Sequence, residues 1–544
     1  MITDQIAQVL SQHWLPITLA VVVAWLVRNR YHNGLNKYPG PFLASLTDWW
    51  RFFDVYGRRP ERSHIALHRK YGPVRSPARD HADRAVQSDF YVVQQSVVKG
   101  HSLPSLFSTT DNDFHMQFRR CVNSAFAMSA LVQYEPFVDN TTKLFLKQTE
   151  RLYIDKPGTC DFTQWLQFYA FDVIGEITYS KRHGFIEKNE DVDGIVAYLT
   201  KLFLYVAPIG QIPFLDRLFL KNPLYLKLSE WGILDATFPV AKFARARMAE
   251  RLPELSTNGE PVLPTSEKPT VKSPDLLSKF LAAREARPDF MTDTLVQTMA
   301  VSMAFAGSET TAISLSAVFY FLLKTPAALA RLRREIDDAA RAGRFSDYET
   351  GLVTWHESQA LPYLDMCVKE AFRLHPAPGL PMERVVPREG LEIAGRRVEG
   401  GTVVGCSAWV LHREEKVFGE DVEVYRPERW EVKGEGDEQR VKVMNGTMLQ
   451  FGMSSRTCNW GRILVVWEII SWYRSSEGGF EIRFGRPRLE LETVNAWFVK
   501  QNNFVRALTC GISSCPRRGS VLGRTRGLFS YCIGAGCIVY FALA

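Results

Sequence analysis

The sequence predicts a mainly α-helical fold with small β-sheets, preceded by an N-terminal transmembrane helix. Three patterns predict it. Apolar residues recur at three- and four-residue spacing from about residue 60 to 375, as helices with a buried face require. Short β-prone pieces such as Leu391-Glu-Ile-Ala and Thr402-Val-Val-Gly alternate with glycine turns up to Trp409, which reads as a small sheet. An apolar run near the N-terminus is followed at once by basic residues.

The bulk numbers set the frame. At 544 residues the chain exceeds the usual single-core size, so one large domain of several layers or two domains are expected. Hydrophobic residues at 46% and charged residues at 23% are ordinary globular values that leave apolar side chains for a deep interior pocket. The net charge of +7 is spread along the chain with neither a dense basic block nor a nucleic-acid motif, so no nucleic-acid partner is expected. A mildly basic face suits an acidic protein partner or anionic lipid. Nine cysteines without C-x-x-C pairing argue against a zinc site or a disulfide framework and for a reduced, cytosolic body.

Taking the elements in order, Trp14 to Val27 is strongly apolar, with Arg28, Arg30 and Lys37 on one side and Asp4 on the other. A buried helix or a cleaved signal peptide would show a similar run. Adding Ile6 to Leu10 gives the roughly 20 residues that a membrane-spanning helix needs, and no small-residue cleavage site precedes the arginines. Residues 1–30 are therefore read as an uncleaved anchor with the body on the cytosolic side. Residues 31–41, ending in Tyr38-Pro39-Gly40-Pro41, form a stiff hinge, because proline fixes φ and bars helix continuation. Residues 42–505 form the main domain, with helix breaks expected at Pro208, Pro213, Pro223 and Pro326 and an exposed loop over Ser256 to Ser273.

Gln297 to Leu323 is apolar nearly all round, as a helix buried on every side should be. A second membrane span is the plainer alternative, but Glu309 at mid-membrane depth would cost at least about 2.5 kcal/mol. The cluster Gly307-Ser308-Glu309-Thr310-Thr311 suits a buried site in which an acid beside a hydroxyl relays protons and glycine lets a ligand approach the backbone. Ser and Thr simply back-bonding to the helix would give the same sequence.

Glu370 and Arg373 lie three apart on one helix face and fit either a surface pair or, with Arg429 of Pro427-Glu-Arg-Trp430, a buried structural network of bidentate bonds. Phe451-Gly-Met-Ser-Ser-Arg-Thr-Cys458 is a small-residue loop leading into the apolar run Ile463 to Ile470. A lone cysteine is ordinarily a buried free thiol. Here loop N–H groups, Arg456 and a following helix N-terminus would stabilise a thiolate, and such a thiolate is a suitable ligand for iron.

The cluster Ala306 to Thr311, Glu370 with Arg373, Pro427 to Trp430 and Phe451 to Cys458 stand in the order and spacing of the cytochrome P450 family. Over about Tyr38 to Val505 the chain resembles its fungal microsomal members, of pisatin demethylase-like and secondary-metabolite type. The resemblance implies the cytochrome P450 fold, with Cys458 as the haem-iron ligand and Glu309 and Thr310 as the catalytic pair delivering protons. It implies that His115, Arg119, Arg384 and Arg456 face the propionates of haem b, although His115 also reads as a solvated helix residue. It further implies a monooxygenase placing one atom of O2 in a small apolar substrate, with NADPH electrons relayed by a flavoprotein reductase. The location implied is the endoplasmic reticulum membrane, single-pass, with the catalytic domain cytosolic and a role in secondary-metabolite biosynthesis or detoxification.

Three departures stand out. Ser454 and Trp460 occupy glycine positions of the family loop, with Gly461 one place late, so strain near 454 and a collision at 460 are expected. Residues 76–87 are short and polar where the family has an apolar hairpin, so part of the first sheet is expected to be missing. Residues 506–544 form a divergent tail whose apolar run Gly527 to Ala544 reads either as a second membrane segment or as a gene-model artefact. Two alternatives follow: a haem enzyme of the same fold acting without net hydroxylation, and a non-catalytic relic unable to hold haem.

Overall fold

The computed structural model describes residues 2–72, 85–154, 160–251, 275–346, 352–393, 395–458 and 492–501, with the pairs 509–510 and 539–540. Trp460, Gly461, the run 463–470, the loop 256–273 and most of the tail lie outside the described residues, as do residues 73–84 of the segment where the first sheet was expected to be short.

The core is built of helices for the reason the sequence suggests: several are apolar on every side. The elements that position the site are α1 (Ile2–Tyr31), α2 (Trp49–Tyr56), α3 (Asn112–Val122), α4 (Phe162–Tyr179), α5 (Ile195–Ile209), α6 (Asp293–Ala306), α7 (Glu309–Lys324) and α8 (Pro362–Leu374). Helix α4 begins where the Asp161 carboxylate caps the Gln164 N–H and ends at Ser180 in the left-handed region. Every residue between Phe162 and Tyr179 except Gln164 is buried. It packs along α7, which also lies against α8.

The strands nearest the site are β1 (Val86–Gln87), β2 (Met382–Val385), β3 (Val403–Cys406), β4 (Thr493–Ala496) and β5 (Phe498–Gln501). β1, β2 and β3 form one antiparallel sheet in that order, with Gln87 opposite Arg384 and Arg384 opposite Val404. Leu391–Ile393 and Arg396–Val398 pair as a separate hairpin. β4 and β5 form a hairpin turned at Trp497, whose φ is +81°. It is stitched to the chain after α8 by Gly379 N–H to Trp497 O at 2.8 Å and Val499 N–H to Ala377 O at 3.0 Å, and it packs on α5 and α7.

One expectation changes. Pro208 does not break a helix but sits in the last turn of α5, which ends at Ile209; so near the end, the loss of one N–H costs little. Pro213, Pro223 and Pro326 do mark breaks, each opening a helical segment at its first position, where proline's missing N–H would be unpaired anyway.

Among the described residues, the helices long and apolar enough to cross a membrane are Val192–Ile209 and Asp293–Lys324, both more buried than exposed within the protein. The second membrane span considered for Gln297 to Leu323 is thus a core helix. α1 is not one of the two. It is kinked at His13, contains Pro16 and leaves Trp14, Leu15, Leu19, Val21 and Trp25 exposed. The segment after it is held to the body by Asn33 Nδ2 donating to Thr402 Oγ1 at 3.2 Å and by Tyr38 Oη donating to Arg397 O at 3.3 Å.

Candidate active site

Helices α6 and α7 are one long rod interrupted at Gly307 and Ser308. The backbone ladder runs as far as Gly307 N–H to Met303 O and resumes at Ala312 N–H to Ser308 O. Hydroxyls take carbonyls in between: Ser308 Oγ donates to Ala304 O at 3.2 Å and Thr310 Oγ1 to Ala306 O at 2.7 Å. The plainer reading, back-bonding, is therefore present at both residues. Gly307 serves packing rather than ligand approach, because a Cβ there would stand 2.9 Å from the Ile174 side chain. Yet Ala306 is exposed, and Gly307 and Thr310 are half-buried, between buried neighbours. A void therefore opens at the break.

Glu309 turns away from Thr310. Its Oε2 accepts from Gln167 Nε2 on α4, and its Oε1 lies 3.3 Å from Lys500 Nζ on β5. Sequence reasoning missed both partners. A polar residue in the apolar stretch Trp165 to Phe171 was the available signal for Gln167; nothing pointed to Lys500.

The cysteine loop closes on itself through Cys458 N–H to Phe451 O at 2.8 Å and Thr457 N–H to Ser454 O at 3.1 Å. Its turns need positive φ at Gly452 (+75°) and at Ser454 (+60°). Strain of about 1 kcal/mol at Ser454 is the cost of a side chain in that region. Cys458 is an exposed free thiol, in contrast to Cys121, Cys160 and Cys367, which are buried. The buried-thiol reading therefore does not describe it.

Arg119 of α3 reaches this loop, donating from Nη1 to Ser455 O at 2.5 Å and Thr457 O at 3.1 Å. Burial lowers the Arg119 guanidinium from its ordinary value, opposed by the electrostatic influence of the neighbouring Cys458. Arg456 turns inward, donating to Gln87 Oε1 at 3.1 Å, Leu106 O at 3.3 Å, Thr109 O at 3.2 Å and Asn112 Oδ1 at 2.8 Å. Arg384 donates from Nη1 to Tyr91 Oη at 3.3 Å and to Glu383 O at 2.7 Å. His115 is buried among them. It is not the solvated helix residue of the alternative reading.

The electrostatics show how close these groups are. His115 is pushed down to about 4 by burial first, then by Arg456, Arg119 and Arg384, all of one sign. Arg456 is lowered to about 10 by burial first and then chiefly by Arg384. Three guanidiniums and an imidazole thus converge beside the cysteine loop, the guanidiniums bonded to carbonyls, two side-chain amides and a phenol, with Asp111 acting on Arg456 in the opposite sense to its cationic neighbours. Such a cluster suits a ligand bearing carboxylates, and an exposed cysteine next to it suits a soft metal ion.

Glu370, Arg373 and Arg429 meet elsewhere, fully buried. Arg373 forks onto both Glu370 oxygens at 3.0 and 2.9 Å, and Arg429 Nε reaches Oε1 at 3.2 Å. The surface-pair alternative does not hold. Trp430 Nε1 at 2.9 Å from Glu370 Oε2 and Asp421 at 2.7 Å from Arg429 Nη1 complete the network. Its bonds tie the run Pro427 to Trp430 to α8.

The family model described as Cytochrome P450 matches residues 83–464. The chain is 38% identical over 503 residues to the cytochrome P450 monooxygenase cicH of Emericella nidulans, covering 89% of this chain and 95% of the relative. It is 37% identical over 444 residues to a cytochrome P450 monooxygenase of Aspergillus terreus, covering 79% and 87%. It is also 33% identical over 519 residues to the cytochrome P450 monooxygenase mpaDE of Penicillium brevicompactum, covering 90% of this chain and 57% of that longer protein.

Proposed function

This chain belongs to the cytochrome P450 family of monooxygenases, and on that premise we propose that it is a haem-dependent, membrane-associated enzyme hydroxylating a small apolar molecule in fungal secondary metabolism. One observation carries the reading. The exposed Cys458 stands beside the His115 imidazole and the guanidiniums of Arg119, Arg384 and Arg456, which is the donor set that haem b, with its iron and two propionates, requires.

Cys458 would hold the iron and the three arginines the propionates, while His115, kept uncharged by its neighbours, would gain an anionic partner. Haem bound there supplies O2 activation, favoured by a thiolate ligand, with one oxygen atom passing to substrate and the other leaving as water. Balance requires two electrons and two protons from outside, and the protein's own contribution is to hold and release the protons. Thr310 keeps one on Oγ1, shared with Ala306 O. Glu309, next to it in sequence, provides a carboxyl able to pass protons on once turned towards it. Phe305, which lies 5.0 Å from Phe203 between ring centroids, makes an apolar wall next to Ala306 and suits an apolar substrate.

The electrons would come from NADPH through a flavoprotein reductase, and the net charge of +7 suits an acidic partner. Membrane association is supported by the exposed apolar side chains of α1 and by further exposed ones at Phe214, Leu218, Phe219 and Trp231 and, on α2, at Trp49 and Phe53. Arg28, Arg30 and Lys37 after the apolar run favour a cytosolic body at the endoplasmic reticulum. The relatives named above are called monooxygenases, in keeping with this activity.

The test is the carbon monoxide difference spectrum of the reduced full-length protein, alongside C458A. A strongly red-shifted Soret band lost in the variant is expected. A spectrum without haem, or one unchanged in C458A, would overturn the proposal.

A further inference from the structure

Three side chains from three elements close a polar ring in the apolar interior. Glu309 on α7 accepts from Gln167 on α4, Gln167 Oε1 accepts from Lys500 Nζ at 3.0 Å, and the same Nζ lies 3.3 Å from Glu309 Oε1. Glu309 and Gln167 are buried, whereas the Lys500 side chain keeps 23% of its surface open. Both Glu309 oxygens are thereby turned from Thr310, whose hydroxyl is spent on Ala306 O. The two residues suited to pass protons are neighbours in sequence but are not joined.

Lys500 sits on β5, two positions after Phe498. Alternate residues of a strand project to the same side. Phe498 stands edge-on to Phe203 at 5.2 Å between centroids, and Phe203 faces Phe305 at 5.0 Å, beside the void at Ala306. Phe305, next to Ala306, is thereby joined through Phe203 to Phe498, and β5 joins Phe498 to Lys500.

We propose that Lys500 is a positioning residue that parks Glu309, so that the acid becomes free to reach Thr310 only when occupancy of the apolar pocket shifts the β4–β5 hairpin. The inference rests on Glu309 and Thr310 acting in proton delivery as set out above. Lys500 touches neither O2 nor substrate and acts through Glu309 alone. Separating a buried carboxylate from its ammonium is costly, so the tether holds until the hairpin moves. Its consequence is economy of electrons: without a substrate, protons for reducing O2 are withheld.

The test needs no identified substrate. NADPH consumption by the full-length protein with its reductase, and the peroxide and water formed, are measured without added organic molecule for the unaltered chain, K500M, K500R, E309Q and E309Q/K500M. Freed from its tether, Glu309 should raise consumption in K500M by about a hundredfold, the lower end of the range for a positioned proton donor, with the heavy-water slowing reduced. K500R should restore the low rate, and E309Q/K500M should match E309Q. Thermal melting gives a readout apart from turnover: the losses in K500M and E309Q should not add. Unchanged or lower consumption in K500M with an intact thiolate spectrum would overturn this inference alone, as would strictly additive melting losses. Absence of the thiolate spectrum in the unaltered chain would remove the proposed function and this inference together.

Discussion

Arg429 reaches Glu370 across 59 positions of sequence, Nε to Oε1 at 3.2 Å, and finds that carboxylate already forked by Arg373. Arg373 in turn donates to the carbonyls of His412, Val422 and Val424. A single buried anion therefore fastens the chain from 412 to 430 onto α8.

Replacing Glu370 by Gln leaves the buried Arg373 guanidinium without its counter-charge and Arg429 with Asp421 alone, a loss of about 3–5 kcal/mol when one partner of a buried pair is removed. R373K should also be severe, since an ammonium cannot fork. Denaturant midpoints of the purified variants check this; a midpoint within error of the unaltered protein for E370Q would contradict the structural role.

Ser454 holds φ at +60°. Glycine there removes a left-handed cost of about 1–2 kcal/mol and adds about 0.4–1 kcal/mol of unfolded-chain entropy. S454G should thus gain about 0.5–1 kcal/mol, and S454V should lose stability because a β-branched side chain tolerates that region worst. Equal stabilities for the two variants would show that the loop adopts another conformation in solution.

Much of the fold was legible because its longest core helices are apolar all round, and Glu309 stood out on α7 for that reason. The Glu370 network was legible because two of its members share one helix turn and the third lies in a short Pro-Glu-Arg-Trp run. Lys500 was not, since it meets Gln167 across 333 positions and a lysine on a short strand ordinarily faces water. Gly307 was misjudged because glycine leaves room equally for a ligand or for a neighbouring helix, and only packing shows that Ile174 takes the space.

Two interior histidines make the fold acid-sensitive. His412 is lowered to about 3 and His375 to about 4, burial being the main cause in each. Both folded values lie below the ordinary 6.5, so the unfolded chain binds protons that the native one refuses. Stability should fall as pH drops from 6.5 towards about 4 for His375 and about 3 for His412, by about 1.4 kcal/mol per pH unit for each. H412N should start less stable, because Leu449 N–H and Arg373 O lose their ring partner, yet show a shallower slope from pH 6 to 4.5. An unchanged slope would rule out His412 as a source of the sensitivity.

Arg384 is bonded only to a phenol and the adjacent carbonyl among the described residues, so R384L should fold while losing a charge-assisted contact of about 1.5–3 kcal/mol to a bound carboxylate. Haem retained per chain, read as Soret against protein absorbance at limiting haem, should fall roughly tenfold or more by that figure. R119L should fall further, because Arg119 also secures Ser455 and Thr457. Full retention in R384L would remove it from the cluster's function.

The interrupted ladder between Gly307 and Ala312 has a consequence for motion. A continuous rod in the centre of the protein would open only with global unfolding, and its amides would exchange with solvent hydrogen last of all. Here the rod is two shorter cooperative units meeting at a seam lined by hydroxyls. Amides from Ser308 to Thr311 should therefore exchange orders of magnitude faster than those of Ile313 to Phe319 one turn away, and filling the void beside Ala306 should slow them selectively.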